Sequence, residues 1–466
     1  MTAASSDLHW LSIGELGRRF RARELSPVDV TGAMLDRIAR LDGRLHSYLT
    51  VTAEAARAAA RAAEQELRAG RDRGPLHGVP IALKDLVETK GVATSAGMEI
   101  LRHHVPEEDA CVALRLREAG AVMLGKLAMT EGAYATHHPS IPGPVNPWNG
   151  ERWTGVSSSG SGVATAAGLC FGSLGSDTGG SIRFPSAANG IVGIKPTWGR
   201  VSRHGVFPLA ASLDHVGPMC RTVRDAALLL GVIAGHDAGD PTSLRAPVAD
   251  FTAEIGRGVR GMRIGIDERW IREGMDDEVT GLVLEAARVL ESAGAALHAV
   301  RVPPTEDLVR VWPVVCAVEC AAAHEPYFPA RESEYGPDLA ALIHAGRSAP
   351  ATAYAKAHEQ RLAFAGRLAG LFEEIDLLLC PSLGISPPPV VPSLPPLSEE
   401  LTLTLLRFTA PFDFSGSPTL SLPCGFGGDG MPVSLQLVGR HLEEALLCRA
   451  GHAYEQATEW HHRHPE

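Results

Sequence analysis

Two short stretches concentrate the groups in this sequence that could do chemistry. They are GVSSSGSG at 155–162 and LGSDTGGSIRFPS at 174–186, and neither contains histidine. A flexible linker would be flanked by polar chain, whereas the intervening VATAAGLCFGSLG is apolar and built for burial. A phosphate-binding Walker loop needs lysine beside its hydroxyl residue; GSDTGGSIR lacks it, and GIVGIKPT has its glycines at the wrong spacing. No dinucleotide fingerprint with an acidic residue about 20 positions on is present. A serine nucleophile is the reading that survives. Gly179 and Gly180 precede Ser181, so the backbone there can approach a ligand closely. The N–H groups of Thr178, Gly179, Gly180 and Ser181 could converge on a developing oxyanion, each worth about 2.7–4 kcal/mol in acyl transfer. A serine hydroxyl is a weak nucleophile and still needs a base.

With GVSSSGSG and LGSDTGGSIRFPSAANGIVGIKPTWGRVSRHG in view, the chain resembles the amidase signature family, serine hydrolases of amide bonds. The likeness runs from GPLHGVPIALKD (74–85) through SLDHVGP (212–218) and returns in FTAPFDFSGSPTLSLPCG (408–425) and PVSLQLVG (432–439). The resemblance implies an α/β fold: a single large domain with one mixed central sheet flanked by helices. It implies a Ser–cis-Ser–Lys group with Ser181 as nucleophile, Ser157 as the bridging serine after a cis peptide bond, and Lys84 as base. The separation of 24 residues (181 − 157) matches the family's spacing and selects Ser157 over Ser158 and Ser159. Lys84 lies in the apolar stretch GVPIALKDLV, and burial there would favour its neutral form. No metal and no cofactor is implied. The family usually reads Gly-Gly-Ser-Ser-Gly-Gly-Ser; here Val156 and Ser159 replace glycines, so a stiffer loop is expected.

Around this group, Asp177 and Arg183 read as a charge-assisted network holding the glycine loop. Tyr134, in EGAYATHHPSIPGPVNPWN, reads as a wall of the substrate channel. The paired histidines (103–104, 137–138) and the tail HHRHP at 461–465 have no metal-ligand spacing; they read as surface residues, with the tail frayed.

The elements that must position these residues fill a chain of 466 residues with 45% hydrophobic and 21% charged composition. The domain assignment is one amidase domain over 1–466: a helical part at 1–70, the signature core at 75–225, and substrate-shaping helices with the remaining strands at 226–466. Ser26 and Pro27 open a helix as N-cap and first residue, and TAEAARAAARAAEQELRAG makes a second, closing on Gly70. Beyond it, the short apolar runs at 79–83, 121–124 and 191–194, and those in GMRIGIDERW and EIDLLLCPS, alternate with helical stretches. That alternation suggests an α/β sheet. The proline-rich segment 386–400 reads as an extended surface loop. The eight cysteines show no C-x-x-C pair and read as small hydrophobes. A net charge of −11 argues against nucleic-acid and anionic-membrane partners. No signal-peptide pattern or membrane-length apolar run is visible, so a cytoplasmic location is expected, with room for a homodimer.

The expected activity is hydrolysis of a carboxamide-type C–N bond (amide, anilide or carbamate) in a small-molecule substrate through an acyl-Ser181 intermediate. Two rivals stand beside it: the glutamine-hydrolysing component of a tRNA-dependent amidotransferase, and a catalytically inactive binding protein on the same fold.

Overall fold

Short continuous apolar runs suit strands covered on both faces, and such strands make the centre of this protein. The computed structural model describes residues 8–390 and 399–466. Its strands are β1 (Tyr48–Val51), β2 (Pro80–Lys84), β3 (Val122–Leu127), β4 (Gly172–Asp177), β5 (Val192–Lys195), β6 (His215–Cys220), β7 (Arg263–Ile266), β8 (Ala296–Ala299), β9 (Leu377–Pro381), β10 (Thr419–Phe426) and β11 (Pro432–Val438). They form one sheet in the order β1-β3-β2-β4-β6-β5-β10-β11-β9-β7-β8. Pairing is mixed: β2 runs parallel to β3 and β4, while β4 and β6 are antiparallel. With helices packed on the sheet, this is the single large α/β domain expected. Every residue of β2 and of β9 is buried.

The N-terminal helices form as their caps dictate. Ser26 Oγ accepts from the N–H groups of Val28 (3.0 Å) and Asp29 (3.4 Å), starting the helix Pro27–Leu45. The helix Ala53–Arg68 closes before Gly70, whose φ is +79°. The stretch read as wholly helical nevertheless contains β1, which pairs antiparallel with β3 at the edge of the sheet. Four residues between two long helices are too few to display a strand period.

Two helices bring the serine stretches together. Ser159–Ala166 is buried along its whole length, and a Cβ on Gly160 would lie 2.5 Å from the carbonyl oxygens of Ala128 and Ser47. Arg183–Asn189 follows directly on the second stretch. The C-terminal tail is docked, not frayed: His464 stacks on Trp10 with ring centroids 3.9 Å apart. All eight cysteines are free thiols, seven of them buried. Among the described residues no helix is long and apolar enough to cross a membrane, and no cluster of His, Cys, Asp and Glu could hold a metal ion. Positions 391–398 of the proline-rich segment lie outside the described residues.

Candidate active site

Lys84 ends β2, Ser176 and Asp177 end the neighbouring β4, and the Ser-rich loop packs across them. Lys84 and Ser157 are completely buried, and Ser181 is 9% exposed. The Val156–Ser157 peptide bond is cis. Lys84 Nζ lies 2.6 Å from Ser157 Oγ, 2.9 Å from Ser158 Oγ and 2.9 Å from Ser176 Oγ. Burial brings the Lys84 pKa down to about 7, against the opposing pull of Asp177 and Asp214. A neutral amine has two N–H groups and one lone pair, so with three hydroxyls around it one must donate. Ser158 already donates to the Ser176 carbonyl (3.1 Å). The contact to Ser157 is the shortest of the three, and an O–H donated there to Nζ would be the geometry of a base about to take a proton. Asp85, the sequence neighbour of Lys84, is engaged elsewhere: it lies 3.4 Å from Lys126 Nζ and accepts from Ser95 Oγ at 2.5 Å.

The second stretch turns from β4 into the helix Arg183–Asn189, with Ser181 in the turn. Ser158 N–H donates to the Ser181 carbonyl at 3.3 Å, joining the two serine loops. Asp177 and Arg183 brace the turn. Arg183 Nη2 is 2.7 Å from Asp177 Oδ1 and Nε is 3.0 Å from Oδ2, both side chains being fully buried. Burial works against the Asp177 carboxylate, but the Arg183 guanidinium outweighs it and keeps the group well below the usual carboxylate range.

One expected oxyanion donor is already spent: Gly180 N–H donates to Asp177 Oδ1 at 2.7 Å. The same carboxylate that orients Arg183 takes this N–H, as well as that of Ile182 at 2.9 Å. Among the described residues, no hydrogen bond takes up the N–H groups of Thr178, Gly179 or Ser181, and these remain as donors. Tyr134 is half-buried, and burial, with the nearby Cys316, pushes its phenol up.

Several participants come from far along the chain and were not anticipated. Arg183 also donates to Asp413 Oδ2 (2.6 Å), to the Thr409 carbonyl (2.9 Å) and to Gln436 Oε1 (3.2 Å). Thr409 Oγ1 donates to the Gly179 carbonyl (2.6 Å), and Trp312 Nε1 to the Thr178 carbonyl (2.9 Å). Thr178 Oγ1 donates to Asp214 Oδ1 at 2.6 Å, and burial raises Asp214 to about 6. A second buried lysine, Lys195, also lowered to about 7 by burial, donates to the Ser417 carbonyl at 2.7 Å and so is committed to structure. Ser159, in place of a glycine, has Oγ 3.0 Å from His137 Nε2, which gives that hydroxyl a partner.

The amidase family model matches residues 29–448. The chain is 48% identical over 458 residues to a Mycobacterium tuberculosis protein called "Putative amidase AmiD", spanning 98% of this chain and 96% of that one. It is 40% identical over 486 residues to a glutamyl-tRNA(Gln) amidotransferase subunit of Moorella thermoacetica, spanning 99% of each. Among solved structures it is similar to a bacterial aryl acylamidase of the amidase signature family, with a TM-score of 0.89, 26% identity, and 98% and 99% of the two chains covered.

Proposed function

We propose that this chain, which belongs to the amidase signature family, is a self-sufficient hydrolase of small carboxamide-type substrates, with Ser181 as nucleophile and Ser157 and Lys84 as its proton relay. The observation that carries the reading is the 2.6 Å contact between Lys84 Nζ and Ser157 Oγ, around a lysine whose pKa burial has lowered to about 7.

The steps follow from that arrangement. Ser181 Oγ attacks the substrate carbonyl while its proton passes to Ser157 Oγ, whose own proton passes to Lys84 Nζ. The oxyanion is met by backbone N–H groups of the turn, donors that are fixed before the reaction begins. Collapse breaks the C–N bond, and the proton returns through Ser157 to the departing nitrogen. Water, deprotonated by the same relay, then cleaves acyl-Ser181 and releases the acid. General-base assistance of this kind contributes about 10²–10⁴-fold.

Anilides and aryl carbamates are the favoured substrates within this class. Trp312, on the helix Glu306–Ala323, lies against the turn that carries Ser181. Its ring packs against Gly179, so the surface it sets beside the turn is apolar. The similarity to an aryl acylamidase supports the same choice. The similarity to an amidotransferase component favours a second reading, in which glutamine is the substrate and further subunits are required. Incubating the purified chain alone with p-nitroanilides, aryl carbamates, primary amides and glutamine separates them. Turnover of an anilide or carbamate without partners is expected; ammonia release from glutamine only after other subunits are added would support the second reading.

A further inference from the structure

Trp312 lies 134 residues from Thr178 in sequence, yet its indole N–H reaches the Thr178 carbonyl at 2.9 Å. A trans peptide unit is rigid, with its N–H pointing opposite to its C=O. Fixing the Thr178 carbonyl toward Trp312 therefore fixes the N–H of Gly179 in the opposite direction. The next unit is held in the same manner: the Gly179 carbonyl accepts from Thr409 Oγ1 at 2.6 Å, and the Gly180 N–H meets Asp177 Oδ1 at 2.7 Å. Each unit differs in what its N–H is left to do. The Gly180 N–H is consumed, whereas the Gly179 N–H has no partner among the described residues.

The ring of Trp312 makes a second contact with the same unit. A Cβ placed on Gly179 would lie 2.6 Å from Trp312 Cζ2 and 2.8 Å from Cε2. The indole thus lies flush on the glycine backbone, and Trp312 itself is only 7% exposed. The ring and its N–H act together, one by packing and the other by hydrogen bonding, on a single peptide plane.

We infer that Trp312 is a positioning residue that aims the Gly179 N–H at the oxyanion formed when Ser181 attacks its substrate, so that a helix outside the two serine stretches sets the strength of the oxyanion hole. This rests on the reading of Ser181 as nucleophile. It also assigns the role of donor unequally within the turn: Gly179 gives its N–H to the reaction and Gly180 gives its N–H to the fold.

The test compares labelling of Ser181 by an alkyl fluorophosphonate with labelling by its thiophosphonyl (P=S) counterpart, followed by peptide mass spectrometry. Sulfur is a weak hydrogen-bond acceptor, so the oxygen probe draws on the oxyanion donors and the sulfur probe largely does not. Two variants are used: Trp312→Phe, and Trp312 replaced by 3-benzothienylalanine, which keeps the bicyclic ring and loses only the N–H. In both, the rate with the oxygen probe is expected to fall about 10–100-fold while the rate with the sulfur probe changes little. Thr409→Ser, which keeps the hydroxyl on the Gly179 carbonyl, is expected to retain the wild-type ratio. Equal losses with the two probes, or no loss with the benzothienyl variant, would overturn the inference while leaving Ser181 as nucleophile. A wild-type protein unlabelled at Ser181 would overturn the functional reading and this inference with it.

Discussion

Lys84 Nζ and Ser157 Oγ are 2.6 Å apart in a fully buried setting. The lysine's pKa is brought to about 7 by burial, so it is neutral above that value and charged below it. Only the neutral form can accept the proton, and activity must fall as pH drops through about 7. The kcat/KM profile is expected to show an acid limb there. Lys84→Ala should lower kcat/KM by about 10²–10⁴-fold and abolish the limb. Asp177 and Asp214 both act to raise the lysine's pKa, so Asp214→Asn should move the limb to lower pH. A limb that persists unchanged in Lys84→Ala would assign it to another group.

Arg183 is the hub beneath the turn that carries Ser181, bonded to both Asp177 and Asp413, with all three side chains fully buried. Arg183→Met would leave the Asp177 carboxylate buried without the guanidinium that holds it charged, and Asp413 without its partner. Removing one partner of a buried ion pair costs about 3–5 kcal/mol, a loss that urea denaturation can measure. A change of under about 1 kcal/mol would mean that water reaches the carboxylates and the network is not the support described.

Ser159 stands where the family has glycine, and its hydroxyl meets His137 Nε2 at 3.0 Å. Burial pushes this imidazole down to about 4, so it is neutral and its ring nitrogens are free to share one hydrogen with the hydroxyl. Ser159→Gly should cost about 1 kcal/mol for the lost hydrogen bond. Labelling of Ser181 should survive, since the substitution spares Lys84, Ser157 and Ser181. Loss of labelling with the fold intact would give Ser159 a direct part in the site.

The parts of the site that were legible in the sequence are local. Ser181 lies in a stretch whose composition signals its chemistry, Ser157 and Lys84 were picked out by the resemblance to the family, and Asp177 and Arg183 are only six residues apart. The parts that were not legible arrive by topology. Trp312, Asp413 and Gln436 are brought to the turn across 134, 230 and 253 residues. Asp413 and Gln436 come from segments noted only for their likeness to the family, and Trp312 from a helix whose apolar composition says nothing of a single indole N–H. The diversion of the Gly180 N–H to Asp177 depends on the detailed path of the turn. The strand β1 was missed for a different reason: its four residues sit between two strongly helical segments whose periodicity dominates the region.

The central claim is that Ser181 is the nucleophile and that neutral Lys84 activates it. It is tested most directly by treating the wild-type protein with a fluorophosphonate from about pH 5 to about pH 9 and mapping the adduct by peptide mass spectrometry. The account predicts a single adduct, on the peptide bearing Ser181, formed at a rate that falls as pH drops through about 7. An adduct on a different serine, no adduct at all, or a rate on Ser181 that is flat across that range would contradict it.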